Sequence, residues 1–283
     1  MSRPAYAALD LATRRWWRAV GREVDLDGAE SWLRAPMSAD PTVADGWLAA
    51  EAARHGGEVR SGVADAGLVP DWDAMAGPGY DPGAVHPLVR DFYEHTAAWR
   101  MDAWSSWSPW AWLPGELVSR LFGRRVRQLS LPMRPLDVSR GMDSRVEVIT
   151  DATGRQVAAG WLRTLRLTGE YVFSGCYTQR TLPGAVRPSV HVTFPLEAGN
   201  VQVFLQPRNA PGGGFVLESP AGSWGRDGAY VVVDDGGRHV AARVPIHETF
   251  ALYVDDDGVL RTDHTLRMWR ATAVRLHYRL QRA

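Results

Sequence analysis

Residues 189–208 read SVHVTFPLEAGNVQVFLQPR, two runs of alternating side chains separated by the turn residues Gly199 and Asn200. In the first run, Val190, Val192 and Phe194 fall on one face and His191 shares the other face with a threonine. A period of two with β-branched and aromatic residues predicts antiparallel strands joined by a tight turn. The pattern recurs from about residue 144 to residue 281, so we expect an antiparallel sheet to dominate the fold.

Nine or ten such runs follow one another, separated by turn signals at 153–154, 199–200, 212–214, 236–237 and 257–258. An open meander of this length would leave two long edges exposed, so we expect it to close into a barrel. A barrel of about nine or ten strands is too wide to be filled by its own side chains. The strand pattern therefore predicts an internal cavity.

The first 85 residues carry helical spacing and irregular linkers, and the stretch 71–87 is dense in Gly, Pro and Asp. We therefore expect an N-terminal helical or irregular appendage over 1–85 and a helix-capped antiparallel β-barrel domain over 86–283. Leu88, Phe92, His95 and Trp99 step by four, three and four, which predicts a helix over 86–104. A proline at its first turn favours a second helix over 114–129.

This succession of strands resembles the lipocalin-like β-barrel proteins, including the stand-alone polyketide (spiroacetal) cyclases of actinobacteria. All 32 basic residues are arginines, a composition similar to that of high-GC actinobacterial proteins. The resemblance is one of architecture over residues 86–283 and assigns no catalytic residue. It implies a β-barrel that holds a hydrophobic small molecule of specialised metabolism.

Composition excludes several chemistries. Without lysine, the chain has no amine for a Schiff base, pyridoxal phosphate or a Walker motif. The formal net charge of zero gives no electrostatic argument for nucleic acid. Cys176 is the only cysteine, and its apolar surroundings favour a core position. No metal or nucleotide motif is complete, so we expect no cofactor. No secretion signal or apolar membrane span is evident, which predicts a cytoplasmic protein.

Polar residues within apolar strands are the candidate site residues, because a buried polar group without a partner is costly. The proposed acid, base and hydroxyl groups are Glu170, His191, Asp263 and Tyr177. Candidate ligand-binding residues are Trp104, Trp107, Trp110, Trp112, Trp161, Arg163, Tyr171, His247 and His264. Their ordinary alternative is a solvent-facing position outside the sheet. An acid and a base that converge in an apolar cavity would perform general acid–base chemistry.

Four of these tryptophans lie within residues 104–112, and three explanations stay open. They pack into a core, they form the rim of an apolar pocket, or they rest on a membrane beside Arg124, Arg125 and Arg127. The function predicted overall is binding of a bulky hydrophobic molecule, with a cofactor-free cyclisation or isomerisation if the protein is an enzyme. The alternative is a non-catalytic carrier or sensor of lipid-like molecules, in peripheral contact with a membrane.

Overall fold

The computed structural model describes residues 6–38, 43–111 and 141–283, with side chains from residue 13 onward. Three α-helices lie in the first third of the chain: α1 (Tyr6–Val20), α2 (Trp47–Arg54) and α3 (Pro87–Glu94). The strands are β1 (Arg22–Val24), β2 (Val59–Arg60), β3 (Trp99–Trp107), β4 (Met142–Thr150), β5 (Gln156–Leu165), β6 (Tyr171–Arg180), β7 (Ser189–Leu196), β8 (Gly199–Ala210), β9 (Gly214–Glu218), β10 (Gly228–Asp235), β11 (Arg238–Val244), β12 (Ile246–Val254), β13 (Leu260–Met268) and β14 (Ala271–Arg282).

These strands form one antiparallel sheet, which confirms the mainly β fold. Its main path is β2-β4-β5-β6-β7-β8-β9-β12-β13-β14-β3. Strand β8 belongs to two parts of the sheet: residues 199–204 pair with β10, which continues to β11 and β1, and residues 206–210 pair with β9. Within the described residues the path ends at β2 and β3, which do not pair with each other. Closure into a barrel is therefore not seen in the described part of the chain.

The strand number exceeds the nine or ten expected, for three reasons. The run over residues 239–255 divides at Pro245 into β11 and β12, and the short strands β1 and β2 come from the N-terminal region. The third is β3, whose residues 99–104 were expected to be helical. The prediction of a helix over 86–104 is correct only for Pro87–Glu94, because nine consecutive residues of β3 pair with β14. Backbone pairing with an existing strand overrides a local helical period. The helix expected over 114–129 lies outside the described residues.

The main hydrophobic core, called here the principal cluster, lies between the two parts of the sheet. It contains Val190, Val192 and Val203 from one part, with Leu252 and Leu276 from the other. Two smaller clusters lie on the outer side of β4–β8, β10 and β11. The second is built around Trp32 and Phe204, and the third around Trp47 and Cys176. Several strands are therefore buried on both faces.

The N-terminal region packs against this sheet at several places. Trp47 in α2 is 1% exposed, and its Nε1 donates to Ser174 Oγ at 3.0 Å. Trp72 is fully buried in the principal cluster, 4.9 Å from the Phe215 ring of β9. The boundary expected near Val85 falls inside this cluster, which contains residues from both sides of it.

Candidate functional site: an interior polar cluster

Five polar side chains lie on the inward faces of strands from both parts of the sheet. They are Arg163 on β5, Tyr177 on β6, Glu248 on β12, His264 on β13 and Tyr278 on β14. Each alternates along its strand with the outward-facing residues, so the period of two that builds the strands also directs these groups inward. We call them the interior polar cluster.

Arg163 is 7% exposed and lies among aromatic rings. Its guanidinium carbon is 4.6 Å from the centre of the Trp161 ring and 4.7 Å from that of Phe173. Its Nη1 donates to Met101 Sδ of β3 at 3.0 Å, a contact that spans from β5 to β3. Cation–π contacts stabilise a buried guanidinium but leave its N–H groups in need of acceptors. Arg163 Nε has no hydrogen-bond partner within the described residues.

Glu248 and His264 form the acid–imidazole pair of the cluster. Glu248 Oε2 lies 3.3 Å from His264 Nε2, and both side chains are largely buried. The two atoms are not aligned for a hydrogen bond, and neither ring nitrogen of His264 has a partner within the described part of the chain. Phe250 stacks on the imidazole with ring centres 3.8 Å apart, which fixes the plane of the ring.

Tyr177 and Tyr278 are both within electrostatic reach of Arg163 and Glu248. Burial raises the pKa of the Tyr177 hydroxyl, the Arg163 guanidinium opposes this rise, and Glu248 adds to it. Burial likewise raises the pKa of the Tyr278 hydroxyl. Arg163 opposes this rise, and Glu248 adds to it. Both hydroxyls therefore stay protonated at neutral pH and are available as hydrogen-bond donors.

The apolar side chains around this cluster are incompletely covered. Met101, Tyr177, Phe194, Phe250 and Leu266 contact the principal cluster, yet each keeps part of its surface accessible. Side chains at the centre of a close-packed core do not retain such area. The arrangement offers donors, a carboxylate and a cation beside accessible aromatic and aliphatic surface.

The structure brings together only some of the residues predicted from the sequence. Arg163, Tyr177 and His264 belong to the interior polar cluster, and Trp161 contacts Arg163 with its own Nε1 donated to Ser144 Oγ. Glu170 is exposed in the turn between β5 and β6. The structure therefore does not bring the four candidate catalytic groups together, because Glu170 lies in a turn and Tyr177 lies on the inward face of its strand, away from His191 and Asp263.

Asp263 and His191 both lie outside this interior. Asp263 is exposed on the outer face of β13, where its carboxylate accepts from His277 Nδ1 at 2.7 Å. His191 is 1% exposed in the second cluster, stacked on Phe204 with ring centres 4.2 Å apart. Burial lowers the pKa of His191 to about 3, with a smaller contribution from the nearby Arg180 cation. This imidazole is therefore neutral at physiological pH and has a structural role.

The remaining candidates are dispersed. Trp104 and Trp110 are exposed, and Trp107 packs half-buried against the principal cluster. Trp112 lies outside the described residues. His247 is half-buried beside the carbonyl of Ser219, 3.1 Å from its Nδ1, and Tyr171 is half-buried at the start of β6.

Sequence reasoning missed Glu248 and Tyr278. A signal was present, because each shares a strand face with strongly apolar residues, Glu248 with Phe250 and Leu252, and Tyr278 with Leu276 and Leu280. A polar residue on the apolar face of an amphipathic strand is the one that points inward. Within the described ranges, no group of three or more His, Cys, Asp or Glu side chains is placed to hold a metal ion.

Comparison with known proteins gives one informative similarity. The chain is 25% identical over 214 residues to a protein named "Uncharacterized membrane protein YndJ" from Bacillus subtilis (strain 168). The match covers 75% of this chain and 37% of that protein. No family model matches the chain, and no solved structure matches it. None of the described helices is both long enough and apolar enough to span a bilayer.

Proposed function

We propose that the protein binds a bulky hydrophobic molecule that carries an acidic or carbonyl group, between the two parts of its sheet. The supporting observation is a set of buried polar atoms that have no hydrogen-bond partner within the described residues, Arg163 Nε and the ring nitrogens of His264, beside accessible apolar side chains. An unpaired buried donor costs about 1–3 kcal/mol. A ligand oxygen that accepts from these groups recovers that cost, and its apolar body covers the aromatic surface.

Closure of the sheet is part of this proposal. The contact between Arg163 and Met101 links β5 to β3, and Phe92 of α3 contacts both Trp161 and Trp99. These contacts support a barrel-like enclosure in which β3 and β4 lie close together and α3 covers one opening. A cytoplasmic location, expected from the sequence, is retained in the proposal.

The binding test uses cis-parinaric acid and its methyl ester, a fluorescent pair that differs only in the ionised carboxylate. We expect Arg163→Met to weaken binding of the acid by 10-fold or more, about the value of one charge-assisted hydrogen bond. Binding of the ester should change by less than about threefold. Fluorescence titration, with energy transfer from the tryptophans of the protein to the bound probe, measures both.

Arg155→Met is the matched control, because that arginine lies in the exposed turn between β4 and β5. It should bind both probes as the wild type does. Wild-type protein that binds neither probe, or an Arg163→Met variant that binds the acid normally, would contradict the proposal.

The Glu248–His264 pair favours a second candidate function, proton transfer on the bound molecule. A carboxylate held 3.3 Å from an imidazole in an apolar interior provides a base beside an acid. We expect a co-purified ligand, incubated with the protein in heavy water, to gain deuterium at exchangeable carbon. Glu248→Gln should reduce this rate about 100-fold or more while binding persists. Absence of incorporation with the wild type would leave binding alone as the function.

A further inference from the structure

Three exposed tryptophans lie towards one edge of the sheet. Trp104 on β3, Trp110 just beyond it and Trp269 in the turn between β13 and β14 are 50%, 48% and 67% exposed. Trp110 Nε1 donates to the carbonyl of Thr272 at 3.0 Å, and the Trp269 amide donates to Pro245 at 2.7 Å. These bonds place Trp110 and Trp269 at the same end of the β13–β14 hairpin.

Arginines accompany these rings. Arg267, Arg270 and Arg275 are exposed on or beside the hairpin, and none forms an ion pair with a carboxylate in the described ranges. Asp263, the acidic residue on this outer face of β13, is already bonded to His277. The three tryptophans and three arginines, called here the hairpin patch, are thus cationic and aromatic on a chain with no net charge.

Trp269 is also strained. Its φ of 53° lies in the left-handed region, which favours glycine and asparagine and is costly for a bulky side chain. Its backbone amide bonds to Pro245, but its ring remains 67% exposed, so core packing does not account for a tryptophan here. The ring is instead presented to the surroundings.

We propose that the hairpin patch docks on a bilayer that contains anionic phospholipid. Indole rings with an apolar body and one N–H suit the headgroup region, and guanidinium groups bind lipid phosphates. The similar Bacillus protein is named a membrane protein, which agrees with the association with a bilayer proposed for this chain. This surface is separate from the interior polar cluster, so the two proposals fail or succeed independently.

Vesicle co-sedimentation tests the docking. We expect the protein to bind vesicles of phosphatidylcholine with about 30% phosphatidylglycerol, and to bind pure phosphatidylcholine vesicles at least 10-fold more weakly. Added salt should weaken binding because it screens the arginines. The triple variant Arg267→Gln, Arg270→Gln, Arg275→Gln should lose about 100-fold in affinity, or about fivefold for each cation removed. The pair Trp110→Ser, Trp269→Ser should lose about 10-fold or more.

The control combines Trp16→Ser with Arg226→Gln, which removes an exposed tryptophan and an exposed arginine elsewhere. It should bind as the wild type does, and circular dichroism checks that every variant is folded. Failure of the wild-type protein to bind anionic vesicles, or normal binding by the hairpin-patch variants, would overturn the proposal. So would a dimer in sedimentation equilibrium that Trp269→Ser dissociates, since the patch would then bind a second copy.

Discussion

Trp72→Ala is expected to lower the free energy of unfolding by about 3–5 kcal/mol, the usual cost of removing a large buried aromatic side chain. Trp72 is fully buried and contacts Tyr93 of α3 and Phe215 of β9, with ring centres 5.4 and 4.9 Å away. The cavity would open within the principal cluster, between the N-terminal region and the sheet. Urea unfolding followed by circular dichroism at a β-sheet wavelength measures the loss.

Trp16→Ala serves as the matched control, since that side chain is 61% exposed on α1. It should cost less than about 0.5 kcal/mol. A single shifted transition in Trp72→Ala would mean that residues before 85 unfold together with the sheet. A sheet signal that keeps its wild-type midpoint while the N-terminal region unfolds separately would show two independent units.

His191 is expected to make the protein acid-sensitive. In the folded state its pKa is about 3, because burial disfavours the charged ring, against about 6.5 in an unfolded chain. Below pH 6.5 the unfolded state therefore takes up the proton and the folded state does not. The contribution of the neutral His191 ring to the free energy of unfolding is full above pH 6.5. It is lost as the pH falls towards 3, at a slope of at most about 1.4 kcal/mol per pH unit.

His191→Leu removes this titration. At pH 7 the variant should be less stable by about 1–3 kcal/mol, since Gln202 loses its bond to the ring, 2.9 Å in the wild type, and Thr178 loses another of 2.9 Å. As the pH is lowered from 7 to 4, the urea midpoint of the wild type should then fall towards that of His191→Leu, or below it. His239→Gln, on the partly exposed strand β11, should keep the wild-type slope. Parallel pH profiles for His191→Leu and wild type would contradict the assignment.

The polar residues around His191 explain why this imidazole is structural. Gln202 donates to the carbonyl of Leu33 at 2.7 Å and to Asn200 at 2.8 Å, and Asn200 donates to Pro36 at 3.2 Å. This ladder attaches the N-terminal segment around Leu33 to the outer face of β7 and β8. A neutral ring between hydroxyl and amide groups satisfies buried partners without a charge.

The sequence by itself determined the strands and their faces over most of the sheet. In residues 189–208, alternation puts Val190, Val192 and Phe194 on one face and His191 on the other. In the structure the first three contact the principal cluster, and His191 stacks on Phe204 on the opposite side of the sheet. Alternation of side chains is a local property of every strand, so it can be predicted from the sequence without tertiary information. The same is true of the turn at Asp257-Gly258, where Gly258 adopts a φ of 75°.

Only the tertiary structure decided which face of each strand points inward and what covers the other. Alternation places Asp263 and His264 on opposite faces but does not say that His264 lies inside, or that Glu248 and Tyr278 meet it from neighbouring strands. Residues 99–107 form β3 because they pair with β14, although the helical spacing that begins at Leu88 extends to Trp99. Such choices depend on partners distant in the sequence, which local patterns do not encode.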